Sequence, residues 1–168
     1  YSNETYTTES FTSEYDDHSI GGNVEMNFKI NDAQNLKTSI MQKNDYHKGL
    51  DSQYVGYDVD VEGRTQTLGL EYALQVNNRL KWVLGAAYDK NEVLKAESRI
   101  ITRRAATGIE EYDKYNTNAI SPQTALYFQY TDDTMFYTSV GQRTNMPSLN
   151  QRYSSSFGYM TPNPDLSA

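Results

Sequence analysis

Residues 64–88 read RTQTLGLEYALQVNNRLKWVLGAAY, two runs of strict alternation meeting across three polar residues. In the first run Leu68, Leu70, Tyr72, Leu74 and Val76 share one parity, against Thr65, Thr67, Gly69, Glu71, Ala73 and Gln75 on the other. In the second, Leu80, Trp82, Leu84, Ala86 and Tyr88 repeat the apolar parity. Side chains of an extended strand point alternately to opposite faces, so each run is a strand with one greasy and one wet side. A helical stripe at i, i+3, i+4 would carry Glu and Asn into the apolar face. Cross-strand partners must share a face, and a slip of one residue inverts a whole strand. A three-residue turn at Asn77, Asn78 and Arg79 then sets Val76 against Leu80, Leu74 against Trp82 and Tyr72 against Leu84.

The same period runs outward from this hairpin. Gly22, Val24, Met26, Phe28 and Ile30 oppose Gly21, Asn23, Glu25, Asn27 and Lys29, and weaker versions lie at 36–46, 121–130 and 134–142. Short connections at 31–35 and 131–133 set Ile30 against Leu36 and Phe128 against Phe136. About seventeen residues separate Tyr46 from Arg64 and about twenty-seven separate Tyr88 from Asn116, far beyond a hairpin loop of two to five. Short turns and long loops thus alternate, which puts all the short turns at one end of the sheet. The reading is an all-β, antiparallel up-and-down meander of six strands, or seven if residues 1–9 form one. That layout is the one of a transmembrane β-barrel, and the resemblance described below makes the chain a segment of a large one. Pro122, unable to donate to a ladder, is expected to mark its strand's entry above the membrane. Tyr46, Tyr72, Tyr88, Tyr127, Tyr130 and Tyr137 are candidates for an aromatic girdle.

Composition narrows the function classes. In 168 residues the apolar share is 37%, the mean hydropathy is −0.78 and fifteen Tyr lift the aromatic share to 12%. This suits a sheet with one dry and one wet face better than a two-sided core. The formal charge of −7 and a pI near 4.8 exclude nucleic acid as a partner, which needs a concentrated basic surface. With no Cys there is no disulfide, thiolate metal site or thiol catalysis. His18 and His47 are the only imidazoles and belong to no catalytic motif, so no catalytic residue, metal or cofactor is assigned. Asp58, Asp60 and Glu62 alternate onto one face, but they lack the Gly turn and ligand spacing of a calcium loop, and a solvated edge accounts for them.

The C-terminal stretch GQRTNMPSLNQRYSSSFGYMTPNPDLSA, residues 141–168, resembles the late-barrel signature of TonB-dependent outer-membrane receptors, R-x-P-T-L-x-x-R-Y-S followed by P-N-P-D-L-K-P-E. The residues that carry the resemblance are Arg143, Pro147, Leu149, Arg152 and Tyr153, then Asn163, Pro164, Asp165 and Leu166. Ser167 and Ala168 stand where the family has Lys-Pro, which suggests an excised fragment. Further barrel-like stretches are 43–48, 67–72, 78–80 with 85–88, and 121–123 with Tyr127 and 131–133. The resemblance implies a barrel of about twenty-two strands around a plug domain. It implies outer-membrane localisation in a Gram-negative type of cell and contact with outer-membrane lipid. It also implies uptake of a small-molecule ligand such as an iron-siderophore or cobalamin, driven by the TonB energy-coupling complex. Residues 1–168 are then a partial barrel domain, with the plug and remaining strands lying elsewhere. The signature residues read as architectural, with Pro147, Pro162 and Pro164 stiffening a folded loop that crosses the barrel mouth. Tyr54 and Tyr57 in one long loop, and Arg103 and Arg104 in the next, are the candidate ligand-binding residues. Cut from its cylinder, the segment would expose two sheet edges and a greasy face, so self-association is expected of it alone. The rival readings are a soluble lipocalin-like barrel, with apolar residues inside, for a small apolar ligand, and an autonomous structural β-domain with blunted edges.

Overall fold

The computed structural model describes residues 12–51, 57–102, 105–153, 163, 165 and 166. Seven strands form one antiparallel sheet: β1 (Ser13–Asn31), β2 (Gln34–Asp51), β3 (Tyr57–Asn77), β4 (Leu80–Thr102), β5 (Ala105–Glu111), β6 (Thr117–Thr131) and β7 (Thr134–Gly141). The spatial order is β1-β2-β3-β4-β6-β7, with β5 paired to β4 beyond β6. One short helix, α1 (Leu149–Tyr153), follows. The expected meander is therefore present, but its seventh strand is β5, from inside the supposed twenty-seven-residue loop. Residues 1–9 lie outside the described residues. Both long loops are mostly strand: β2 and β3 continue to Asp51 and from Tyr57, and β4 runs 23 residues to Thr102.

The three short turns hold a common device that corrects the expected pairing. Each loop is two residues, at 32–33, 78–79 and 132–133, and each is accompanied by a bulge at Ile30, Val76 or Tyr130. The extra residue shifts the register by one and restores the shared parity, so Leu74 still meets Trp82, Tyr72 meets Leu84 and Phe128 meets Phe136. Val76, however, has no direct partner, because Leu80 pairs with Asn77. Likewise Leu36 pairs with Phe28 and not Ile30. Asn77 closes its turn by accepting from the backbone N–H of Arg79 at 2.9 Å and of Leu80 at 3.0 Å. Asn31 accepts from Ala33 in the same way. Asn77→Ala removes the side-chain acceptor that those two donors share and should lower stability by about 1 kcal/mol, read as a shifted urea midpoint with an unchanged slope.

The apolar parity forms a continuous outward band. Four segments, 22–30, 68–76, 80–88 and 120–128, each contribute nine residues, roughly 26 Å along the strand. At a barrel tilt near 40° this stands about 20 Å high. Phe28, Leu70 and Trp82 are 48%, 52% and 39% exposed, so the greasy side faces out and not into a dry core. Inside the band Trp82 Nε1–H donates to Thr124 Oγ1 at 2.8 Å, leaving the indole satisfied without water. On β2, β3, β4 and β6 the band ends one position above Ile40, Leu68, Tyr88 and Ile120, at Gln42, Gln66, Lys90 and Asn118, while on β1 it reaches two positions further, to Ile20.

Two expectations are corrected by this parity. Tyr127 and Tyr137 belong to the opposite face, stacked on each other at 6.1 Å with Lys81 Nζ 5.7 Å from the Tyr127 ring. Tyr46 faces out but lies above the band, stacked on His18. Tyr72, Tyr88 and Tyr130 remain on the greasy side. Pro122 does not mark the band's upper limit either, since it sits inside the band opposite Ala86, one outward level below Ile120. Its carbonyl accepts from Gln142 N–H, and its missing donor lies on that same side, where the ladder to β7 has just ended at Gly141.

Candidate functional site

The wet parity lines the concave face. A row of small residues, Ser39, Gly69, Ala87 and Ser121, crosses four strands and floors a trough of about 580 Å³ bordered by Lys37, Glu71, Asp89 and Gln123. An added Cβ at Gly69 would lie 2.4 Å from Ser39 Oγ and would turn that hydroxyl aside, the next nearest atom being Ser39 Cβ at 3.8 Å. A lipocalin-like carrier would need apolar side chains here, and the charged border is the reverse of that.

After β7 the chain folds back across this concave face, above the level of the band. Thr144 N–H donates to Ser121 Oγ at 3.5 Å, Pro147 is buried, and Ser148 caps α1. Ser148 N–H donates to Gln151 Oε1 at 2.8 Å while Gln151 N–H returns to Ser148 Oγ at 3.3 Å, a reciprocal capping box. This strap covers Val61, Val93 and Ala96, and together with Tyr153 they form the buried core of the described residues, flanked by Val59, Tyr112 and Leu149. Leu149 packs on Gly63, where an added Cβ would stand 2.9 Å from Leu149 Cδ2. Gly63→Ala should therefore displace Leu149, cost about 1–3 kcal/mol and increase protease cleavage within 142–153; unchanged cleavage would refute this packing.

The strap is anchored where the wall is broken. β6 pairs with β4 only up to Asn91 and β5 pairs with it only from Glu97 outward, so residues 113–116 leave the ladder, the last bond before the break being Tyr112 N–H to Ala96 O at 2.9 Å, and their carbonyls are free of it. Arg152, fully buried, fills the break: its Nη1 donates to Tyr115 O at 3.1 Å, its Nη2 donates to Thr117 Oγ1, and its guanidinium lies 5.2 Å from the Tyr115 ring. Tyr153 O–H donates to Asp113 O at 3.0 Å. Arg152 O in turn accepts from Asn163 N–H at 2.8 Å, which ties the second half of the signature to the first.

Burial raises the Tyr153 phenol above its ordinary value of 10.0, and Asp60 raises Lys95 above 10.5. Both folded-state values lie above the unfolded ones, so this stability is complete below pH about 10 and is lost as pH climbs through the folded values. Alkaline titration should show a late-ionising tyrosine that Tyr153→Phe removes. Identical phenolate titrations would exclude a buried Tyr153.

Between strap and wall lies a second crevice of about 580 Å³ that contains Asp17, Lys43, Asp45 and His47. His47 Nδ1 meets Asp17 Oδ1 at 2.5 Å, Ser19 Oγ–H donates to Asp45, and Lys43 pairs with Asp45 at 2.7 Å. The polar groups of the crevice are thus paired with one another. On the outward face, Asp60 meets Lys95 at 3.0 Å and Lys48 at 3.5 Å, and Asp58 meets Arg99 at 3.5 Å. Asp58 and Asp60 of the carboxylate row are thus held in ion pairs, and among the described residues no group of acidic and His side chains is placed to hold a metal ion.

Of the candidate ligand-binding residues, Tyr54, Arg103 and Arg104 lie outside the described residues, and Tyr57 opens β3 opposite Leu50. Pro147, Leu149, Arg152 and Tyr153 are brought together in the strap. Arg143 stands exposed at the trough border, Asp165 and Leu166 are exposed near Asn163, and Pro164 is outside the described residues. The break at 113–116 gave no sequence signal.

A family model described as TonB dependent receptor-like, beta-barrel, matches residues 1–168. No curated protein and no solved structure matches the chain.

Proposed function

Because this chain belongs to the TonB-dependent receptor β-barrel family, a family of outer-membrane transporters and not of enzymes, we propose that residues 1–168 are a partial barrel wall of an active importer. The imported ligand is a scarce small molecule such as an iron-siderophore or cobalamin. A plug domain of the same protein fills the lumen and couples to the TonB complex, and the four-strand trough of the concave face is where the plug seats. Ligand contact is assigned to Tyr54, Tyr57, Arg103 and Arg104, which in sequence lie at the connections from β2 to β3 and from β4 to β5.

The observation that supports this reading is the placement of polarity. A nine-residue apolar band faces outward, the concave face carries Lys37, Glu71 and Asp89, and the strap lies on the concave side. Hydrocarbon outside and water inside is the arrangement of a transmembrane barrel wall. Deleting the parent gene should abolish growth on one iron-chelate or cobalamin source while leaving others usable. Unchanged growth and uptake for every such source would remove the assignment.

A further inference from the structure

The β4–β5 hairpin has an open side. β6 leaves β4 at Asn91 and β7 stops at Gly141, so past the break β5 is bonded to β4 on one side and, among the described residues, to no strand on the other. Tyr112 N–H donates to Ala96 O, and the backbone groups of an antiparallel strand turn alternately to its two sides, so Gly108 and Glu110 face β4. Ile109 and Glu111 therefore hold their N–H and C=O toward the open edge.

We propose that this edge is a docking strand for an extended, basic peptide segment of another protein, added antiparallel to β5. The proposal goes beyond the transporter-wall reading and rests on it for one point, that the end opposite the short turns lies outside the cell. Main-chain bonds to Ile109 and Glu111 supply the pairing, and alternate side chains supply the specificity. Ile109 is 58% exposed and shares the outward face with Arg99, Glu111 shares it with Glu97, and Glu110 lies on the opposite face with Ser98. Both glutamates are exposed, and neither forms an ion pair among the described residues. The nearby cations are committed elsewhere, Lys95 to Asp60 and Glu97, and Arg99 to Asp58. A partner strand that reads basic, basic, apolar from its N-terminal side meets Glu111, Glu110 and Ile109 in that order, with opposite charges directly across. A second copy of this chain is disfavoured, because it brings another acidic edge on a chain of formal charge −7. The edge is also held ready. Tyr153 on Asp113 O and Arg152 on Tyr115 O pin the chain next to β5, so little ordering is left to the binding step.

The test uses the full receptor chain in lipid nanodiscs and a synthetic peptide of about nine residues, Thr and Val around a central Arg-Lys-Val, read by fluorescence anisotropy and amide exchange. Binding should slow exchange at Ile109 and Glu111 and leave Glu110, already bonded to β4, as it was. The Glu110→Gln, Glu111→Gln double variant should bind about fivefold more weakly or worse. Ile109→Pro deletes a donor on the open side only, so it should abolish binding while the Glu110 amide stays protected. Equal affinity in the double glutamine variant overturns the site. Full binding by the Ile109→Pro variant, or by a peptide of the same charge with Pro at every second position, also overturns it, since charge without strand pairing then accounts for the attraction. If the unmodified chain fails to insert, the wall reading falls and the docking edge with it; normal insertion with no slowed exchange at Ile109 removes the docking edge alone.

Discussion

Arg152→Ala should detach the strap and cost about 3–5 kcal/mol, the largest loss expected from any single truncation in the described residues. The guanidinium makes two hydrogen bonds, to Tyr115 O and Thr117 Oγ1, in a fully buried position, and bonds to a charged donor contribute about 1.5–3 kcal/mol each. Removing the side chain leaves the Tyr115 carbonyl without its donor beneath the strap and opens a void beside Tyr153. Lysine is no substitute, because an ammonium cannot reach both acceptors while lying flat on the Tyr115 ring. The measurements are urea unfolding of the refolded chain and protease cleavage within 142–153. A variant with the parent's midpoint and cleavage pattern would show that the strap is held by its apolar contacts alone.

Leu70→Arg should cost about 1–3 kcal/mol in a bilayer, whereas Gln66→Arg, on the same face of the same strand, should cost at most about 1 kcal/mol. Leu70 pairs with Thr38 and Ala86, and Ala86 with Pro122, a line inside the apolar band and one outward level below its upper limit at Leu68, Tyr88 and Ile120. Gln66 is four residues away, past the band's upper limit. The pair isolates depth from strand, face and charge. Unfolding from lipid vesicles gives both numbers, and equal costs at the two positions would mean that the outward face meets water throughout. Detergent-free buffer should erase the difference, since there the introduced guanidinium would sit on a wet surface in either variant.

Much of the fold was legible because alternation survives any loop. The greasy parity of β1, β3, β4 and β6, the three short turns and the common end at which they lie all follow from period two. Tyr127 and Tyr137 were assignable as well, since each has the parity opposite to Phe128 and Phe136, and grouping them by residue type hid that. The bulges at Ile30, Val76 and Tyr130 were not legible. A two-residue turn plus a bulge and a three-residue loop preserve the same parity, and only hydrogen bonding separates them. Nor did the sequence disclose that 92–111 is mostly strand. Above the band neither face is uniformly apolar, and the bulge at Leu94 resets the period in mid-strand, so the segment reads as a polar loop. The strap's residues were recognisable, but their partners were not, because the acceptors at 113–117 owe their availability to a break in pairing that no residue type announces.

The strap's contacts come from β3, β4 and the turn between β5 and β6, elements that span more than fifty residues of chain. A strand displaced by one place would offer Glu62 to Tyr153 in place of Val61, a charge where a dry surface is needed. The closing helix therefore acts as an inspector of assembly: it docks only on a wall whose strands have already found their correct neighbours, and a misthreaded barrel is left with its strap loose and open to proteases.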